Sequence, residues 1–204
     1  MSTRLVIEFA LYFLALINPA SKVFMLSSVD PPYSKRKLFS VSLRSTLAAL
    51  LILFVLTALG QFLLAKVFRI DIYSLKVAGG TVLFLIGLTA VQKGRFFEQA
   101  RTPEAADISI VPLGAPMIAG PGTITAAISL ATEYGAMLTL AALCIALAAN
   151  FAIMLMSLWL GKALDRVHAT GPLIWITGLI VAAVAVQMML AGLGEWLHAV
   201  WPAG

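Results

Sequence analysis

Residues 108–132 read ISIVPLGAPMIAGPGTITAAISLAT, 25 consecutive positions without a charge, with Gly120-Pro121-Gly122-Thr123 at their centre. An α-helix needs roughly 20 apolar residues to cross the hydrocarbon core of a bilayer, and a barrel strand about 10 of alternating character. The run has no such alternation. It predicts a membrane-spanning helix interrupted at mid-length by a proline between two glycines.

Outward from this run the same pattern repeats. Residues 134–161 and 169–194 are uncharged stretches of 28 and 26 residues. On the other side, residues 93–107 carry six charges and Pro103, forming the longest expected loop. Before it lie 16 uncharged residues, Val77 to Gln92, which reach spanning length by recruiting Ile72 to Leu75 while Lys76 snorkels. The 21 residues between Arg44 and Lys66 make another span. The first run, Leu5 to Leu26, contains Glu8, Asn18-Pro19 and Lys22 and stops at Asp30-Pro31-Pro32. Glu8 and Asn18-Pro19 argue against a cleaved signal peptide. The fold class expected is all-α, with six transmembrane helices in one domain over 1–204.

Composition agrees. Of the 204 residues 61% are hydrophobic and 11% charged, against about 25% charged in soluble domains, and the mean hydropathy is +1.01. The solvent of this chain is lipid. A net charge of +5 would suggest nucleic acid in a soluble protein, but here the basic residues sit in short gaps between apolar runs and act as topology signals. The odd-numbered loops and their flanks hold ten of the 14 basic residues: Lys22, Lys35, Arg36, Lys37, Arg44, Lys93, Arg95, Arg101, Lys162 and Arg166. The odd loops are therefore expected in the cytoplasm and both termini outside. The lone Cys144 can form neither an internal disulfide nor a dithiol centre.

With three spans per half, the second half starts on the opposite side of the membrane, so any repeat is inverted. Repeat one would cover 1–92, a cytoplasmic loop 93–107 and repeat two 108–204. Asn18-Pro19-Ala20-Ser21 in span one and Gly120-Pro121-Gly122-Thr123 in span four lie 102 residues apart at matching places. Proline removes a helical donor and clashes with the carbonyl four residues earlier, while Asn and Gly cap helices whose first residue is proline. Each span should therefore break at mid-membrane and restart. The restarted helix offers free amide donors and partial positive charge to an anionic group, and the carbonyls left near Leu16, Ile17 and Ala119 offer the opposite polarity. A zwitterion suits both ends. The hydroxyls of Ser21, Thr123 and Thr125 can add hydrogen bonds in a small pocket.

The stretch Val111 to Thr125 resembles the signature of the MarC family, also described as small neutral amino acid transporters. Leu16-Ile17-Asn18-Pro19, Ala78-Gly79-Gly80 and Ala185-Val186-Gln187-Met188 are similar to further motifs of that family, in its order. The resemblance implies a six-span inner-membrane protein of the lysine-exporter-like superfamily, carrying amino acids of the alanine and glycine class. It transfers to Asn18, Pro19, Gly120, Pro121, Gly122 and Thr123. Span one departs from the family, which continues Asn-Pro with a Gly and a second Pro where this chain has Ser21, Lys22 and Phe24.

Other polar residues have two readings each. Lys22 could contact a substrate carboxylate, but snorkelling to the interface is the simpler expectation. Glu8 is expected at the interface. Gln92, Asn150 and Gln187 could touch substrate or bond neighbouring helices, and Gly79, Gly80, Gly87, Gly178 and Ala182 are expected to be close-packing positions. The expected function is alternating-access transport of a small neutral amino acid, with a channel or exporter for another small polar solute as the rival. No metal cluster, cofactor or catalytic pair is expected, nor a nucleic-acid partner. Coupling to Na⁺, to H⁺ or to neither stays open, as does assembly into a homo-oligomer.

Overall fold

The structure is a computed structural model describing residues 3–27, 29, 32–94, 117–166 and 170–201. The expected loop 93–107, apart from Lys93 and Gly94, and residues 108–116 of the fourth expected span lie outside these residues. The described residues form helices and no strand: α1 (Thr3–Ile17), α2 (Pro19–Ser27), α3 (Lys35–Phe62) continued by a π-helical turn (Leu63–Phe68), α4 (Ile72–Lys93), α5 (Pro121–Tyr134), α6 (Ala136–Leu155), α7 (Ser157–Arg166) and α8 (Thr170–Val200).

Among the described residues, five stretches are long and apolar enough to cross a membrane: Thr3–Ser27, Lys35–Gly60, Ile72–Lys93, Ala136–Leu155 and Thr170–Val200. The bundle is packed inside out relative to a soluble protein. Large apolar side chains face outward along α3 at Leu43, Leu47, Leu51, Phe54 and Leu59, and along α8 at Leu179, Val186, Leu190 and Leu197. Buried positions are rich in alanine, including Ala49, Ala90, Ala126, Ala127, Ala142, Ala146 and Ala185. Lipid gives helices no hydrophobic reason to associate, so small residues that admit close backbones take the interior. Trp175 and Trp196 are exposed near the two ends of α8. Their 21-residue separation spans roughly 32 Å at 1.5 Å per residue, the thickness of the hydrocarbon core between two interfacial aromatic belts.

Helix α3 begins ten residues before the uncharged run predicted from the sequence. Charge limits an apolar run but not a helix: the Ser34 side chain caps α3 by accepting the Lys37 N–H at 3.3 Å. Lys35, Arg36 and Lys37 then lie exposed on its first turn.

The most extensive helix pair is α4 against α8, which run antiparallel. Their contact is a seam of small residues. A Cβ on Gly87 would fall 2.7 Å from the Ala182 nitrogen and 2.8 Å from the Gly178 oxygen, and one on Gly80 2.9 Å from the Ala185 oxygen. These are the close-packing positions expected. Helix α5 crosses α4 and α3, where Gly122 meets Leu83 and Gly60 meets Ile128. Helices α1 and α2 lie against α6 and α7 respectively.

Candidate functional site

Two helix starts, each led by a proline, meet in the interior. The first is at Asn18, between α1 and α2, with φ of 52°. Pro19 cannot donate to Ala15, so α1 must stop, and the left-handed conformation that ends it is one that asparagine tolerates better than most residues. The Asn18 N–H still closes α1 on the Leu14 oxygen at 2.9 Å. The Asn18 oxygen accepts the Ser21 N–H at 3.2 Å and the Ser21 hydroxyl at 2.8 Å. Ser21 thus spends its donor on its own break.

The second is the start of α5. Gly120 is extended, with φ −85° and ψ 172°, Pro121 takes the first helical position, and the Ile124 N–H reaches the Gly120 oxygen at 2.9 Å. No side chain caps this start. The amides of Gly122 and Thr123 belong to the first turn, whose donors have no partner within the helix.

Lys22 joins the two. One turn into α2, it is 1% exposed. Its ammonium donates to the Ile17 oxygen, to the Met117 oxygen at 2.6 Å and, more weakly, to the Asn18 oxygen at 3.4 Å. The expectation that Lys22 snorkels to the interface is therefore corrected. The breaks expose carbonyls within reach of the four-carbon stem, and these satisfy the ammonium without its leaving the interior.

Between the breaks lies a cavity of about 30 Å³, room for roughly two waters. Its polar side is built from Asn18, Ser21, Lys22, Gly120, Gly122 and Thr123, and its apolar wall from Leu16, Ile17, Leu83, Ile86, Met117, Pro121 and Val181. The Asn18 Nδ2 is buried and has no hydrogen-bond partner. The cavity thus combines the unpartnered Asn18 donor and the first turn of α5 with the carbonyls of Ile17 and Met117, which Lys22 holds.

The remaining candidates lie elsewhere. Pro19 and Ala20 are half-buried outside the lining. Thr125 is buried one turn along α5 and faces α4, where a Cβ on Gly79 would fall 2.2 Å from its hydroxyl. Gln92 and Gln187 are exposed. Asn150 is fully buried on α6, its Nδ2 3.3 Å from the Met154 sulfur. None of these last three lines the cavity. Glu8 pairs with Arg4 at 2.8 Å on the exterior.

Sequence reasoning missed the walls Leu83, Ile86 and Val181, which nothing distinguishes from other apolar positions. It also missed a charge cluster. Lys76 does not snorkel: its side chain is 9% exposed, and it donates to Glu133 Oε1 at 2.5 Å and to Glu195 Oε1, while the Ser129 hydroxyl donates to Glu133 at 2.9 Å. The cluster ties α4, α5 and α8 together, seven residues along α4 from the cavity wall at Leu83, or about 10 Å. The available signal was sidedness, since the loop count puts all three residues on one face.

The MarC family integral membrane protein model matches residues 3–197. The chain is 33% identical to the UPF0056 membrane protein PH0214 of Pyrococcus horikoshii over 93% of each chain. It is also 33% identical to the UPF0056 membrane protein YvbG of Bacillus subtilis, covering 88% of this chain and 89% of that one. The UPF0056 inner membrane protein YhgN of Escherichia coli is 25% identical over 94% of this chain and 98% of its own. No solved structure matches. With a family model spanning nearly every residue, and relatives similar from end to end, the chain belongs to the MarC family of integral membrane proteins.

Proposed function

We propose that this protein is a secondary transporter of small neutral amino acids of the alanine and glycine class, working by alternating access around the cavity between its two helix breaks. The observation that carries the reading is the unpartnered Asn18 Nδ2 beside the uncapped start of α5, in a cavity whose only charge among the described residues is that of Lys22. These donors suit a carboxylate. The apolar wall of Leu83, Ile86 and Val181 would favour a small side chain, and the cavity, with room in this conformation for about two waters, must widen to take an amino acid.

In this reading six spans form two inverted halves, with spans one and four broken at mid-membrane. The helix contacts support it: α4 and α8, as spans three and six, pair with each other, while α2 with α6 and α5 with α3 exchange under the same swap of halves. Both termini would face outward, as the distribution of basic residues favours.

Counterflow of labelled alanine in proteoliposomes tests the proposal. Purified protein should exchange external label for internal unlabelled alanine and should be inhibited by glycine. No exchange of either amino acid by folded protein would remove the reading.

A further inference from the structure

Lys22 is the only ionisable residue among the described residues that line the cavity, and it has no acidic neighbour there. Its ammonium is held by backbone oxygens alone: Ile17 and Asn18 from one break, Met117 from the other, 95 residues away in sequence. Inward carbonyls at the ends of discontinuous helices are the ligand set with which transporters of this general build hold a coupling Na⁺, and hard cations favour such oxygens. Here the position is filled from within the chain. A second cation beside it would face a fixed positive charge with no carboxylate to offset the repulsion.

We infer that the Lys22 ammonium is a built-in replacement for a coupling Na⁺: it holds the two breaks together, makes flux independent of Na⁺, and leaves an alkali-ion site behind when its side chain is removed. The flux part rests on the transport reading above; the ion-site part does not.

The test has two arms. In the first, apparent melting temperatures of purified wild type, Lys22→Ala and Lys22→Met are measured in NaCl and in choline chloride at equal ionic strength. Lys22→Ala should melt lower in choline and rise saturably with Na⁺, because the emptied space admits the ion. Wild type, and Lys22→Met with an uncharged chain filling that space, should show no difference between the salts. Na⁺ stabilisation of wild type overturns the inference, as does a folded Lys22→Ala that ignores Na⁺. Should Lys22→Ala not purify, Lys22→Ser is judged by the same criteria. In the second arm, wild-type counterflow of labelled alanine should run at the same rate in both salts; a tenfold dependence on Na⁺ overturns the inference. Absence of alanine exchange in either salt would sink the transport reading, while the melting curves still decide the ion site.

Discussion

Three glycine-to-alanine substitutions, chemically identical, should have three different consequences. At Gly87 the added methyl would meet backbone, 2.7 Å from the Ala182 nitrogen and 2.8 Å from the Gly178 oxygen, so α4 and α8 must move apart. At Gly122 it would meet Leu83 Cδ2 at 2.8 Å and Cδ1 at 3.0 Å, the far end of a flexible side chain beside a cavity. At Gly194, inside α8, nothing lies within 4 Å. Overpacking costs about 1 to 3 kcal/mol, with the upper end expected where the neighbour is backbone. Alanine in a helix interior gains roughly 0.5 to 1 kcal/mol over glycine. Gly194→Ala should therefore equal or exceed wild type, Gly122→Ala should fall slightly below it, and Gly87→Ala, which shares the helix gain but also overpacks, should lie about 1 to 3 kcal/mol under Gly194→Ala. Thermal unfolding in one detergent, followed by loss of the monodisperse peak on size exclusion, ranks the three. If Gly87→Ala melts with Gly194→Ala, the α4–α8 seam is not packed as described.

Asn18→Gly keeps the left-handed backbone but deletes the amide donor, so the protein should fold and bind alanine roughly tenfold to a hundredfold more weakly, the effect of losing one hydrogen bond to a charged group; Asn18→Leu should lose stability as well, by about 1 to 2 kcal/mol. Titration of purified protein with alanine separates the two. Thr123→Val should weaken the apparent alanine affinity in counterflow with little change in melting temperature, and unchanged affinity would exclude its hydroxyl from the site. Lys76→Met leaves Glu133 and Glu195 facing each other and should destabilise by about 1 to 3 kcal/mol, between the values for exposed and buried pairs because both carboxylates are partly exposed; full recovery in Lys76→Arg would identify the charge as the cause. Phosphatase fusions should be active at the C-terminus and inactive within 93–107, and the reverse would invert the orientation.

Much of the fold is written in local chemistry. Uncharged runs longer than a bilayer is thick have few alternatives, and span three, assigned from 72 to 92, is found as α4 over Ile72–Lys93. The helix starts are legible for the same reason, because the proline constraint acts on its own backbone: α2 starts at Pro19 and α5 at Pro121. Helix ends outside the apolar runs are not, as the early start of α3 at Lys35 illustrates. The cavity wall is less legible still. Leu83 and Val181 reach the site through the crossing of α4, α5 and α8, and no periodicity within one helix encodes such a crossing.

Lys22 and Lys76 share one misreading, and its cause is physical. Snorkelling is the default for a lysine in an apolar helix only when the interface is the nearest source of oxygen ligands. A broken helix changes that comparison by exposing carbonyls in the interior, and helix ends that converge on one face change it by supplying carboxylates. Lys22 meets the first condition through Ile17 and Met117, and Lys76 the second through Glu133 and Glu195. The prolines that mark the breaks thus also mark where a nearby lysine should turn inward. Lys22 lies three residues past Pro19, close enough for its ammonium to reach back to the end of α1, so the break and the buried charge form one feature of the chain.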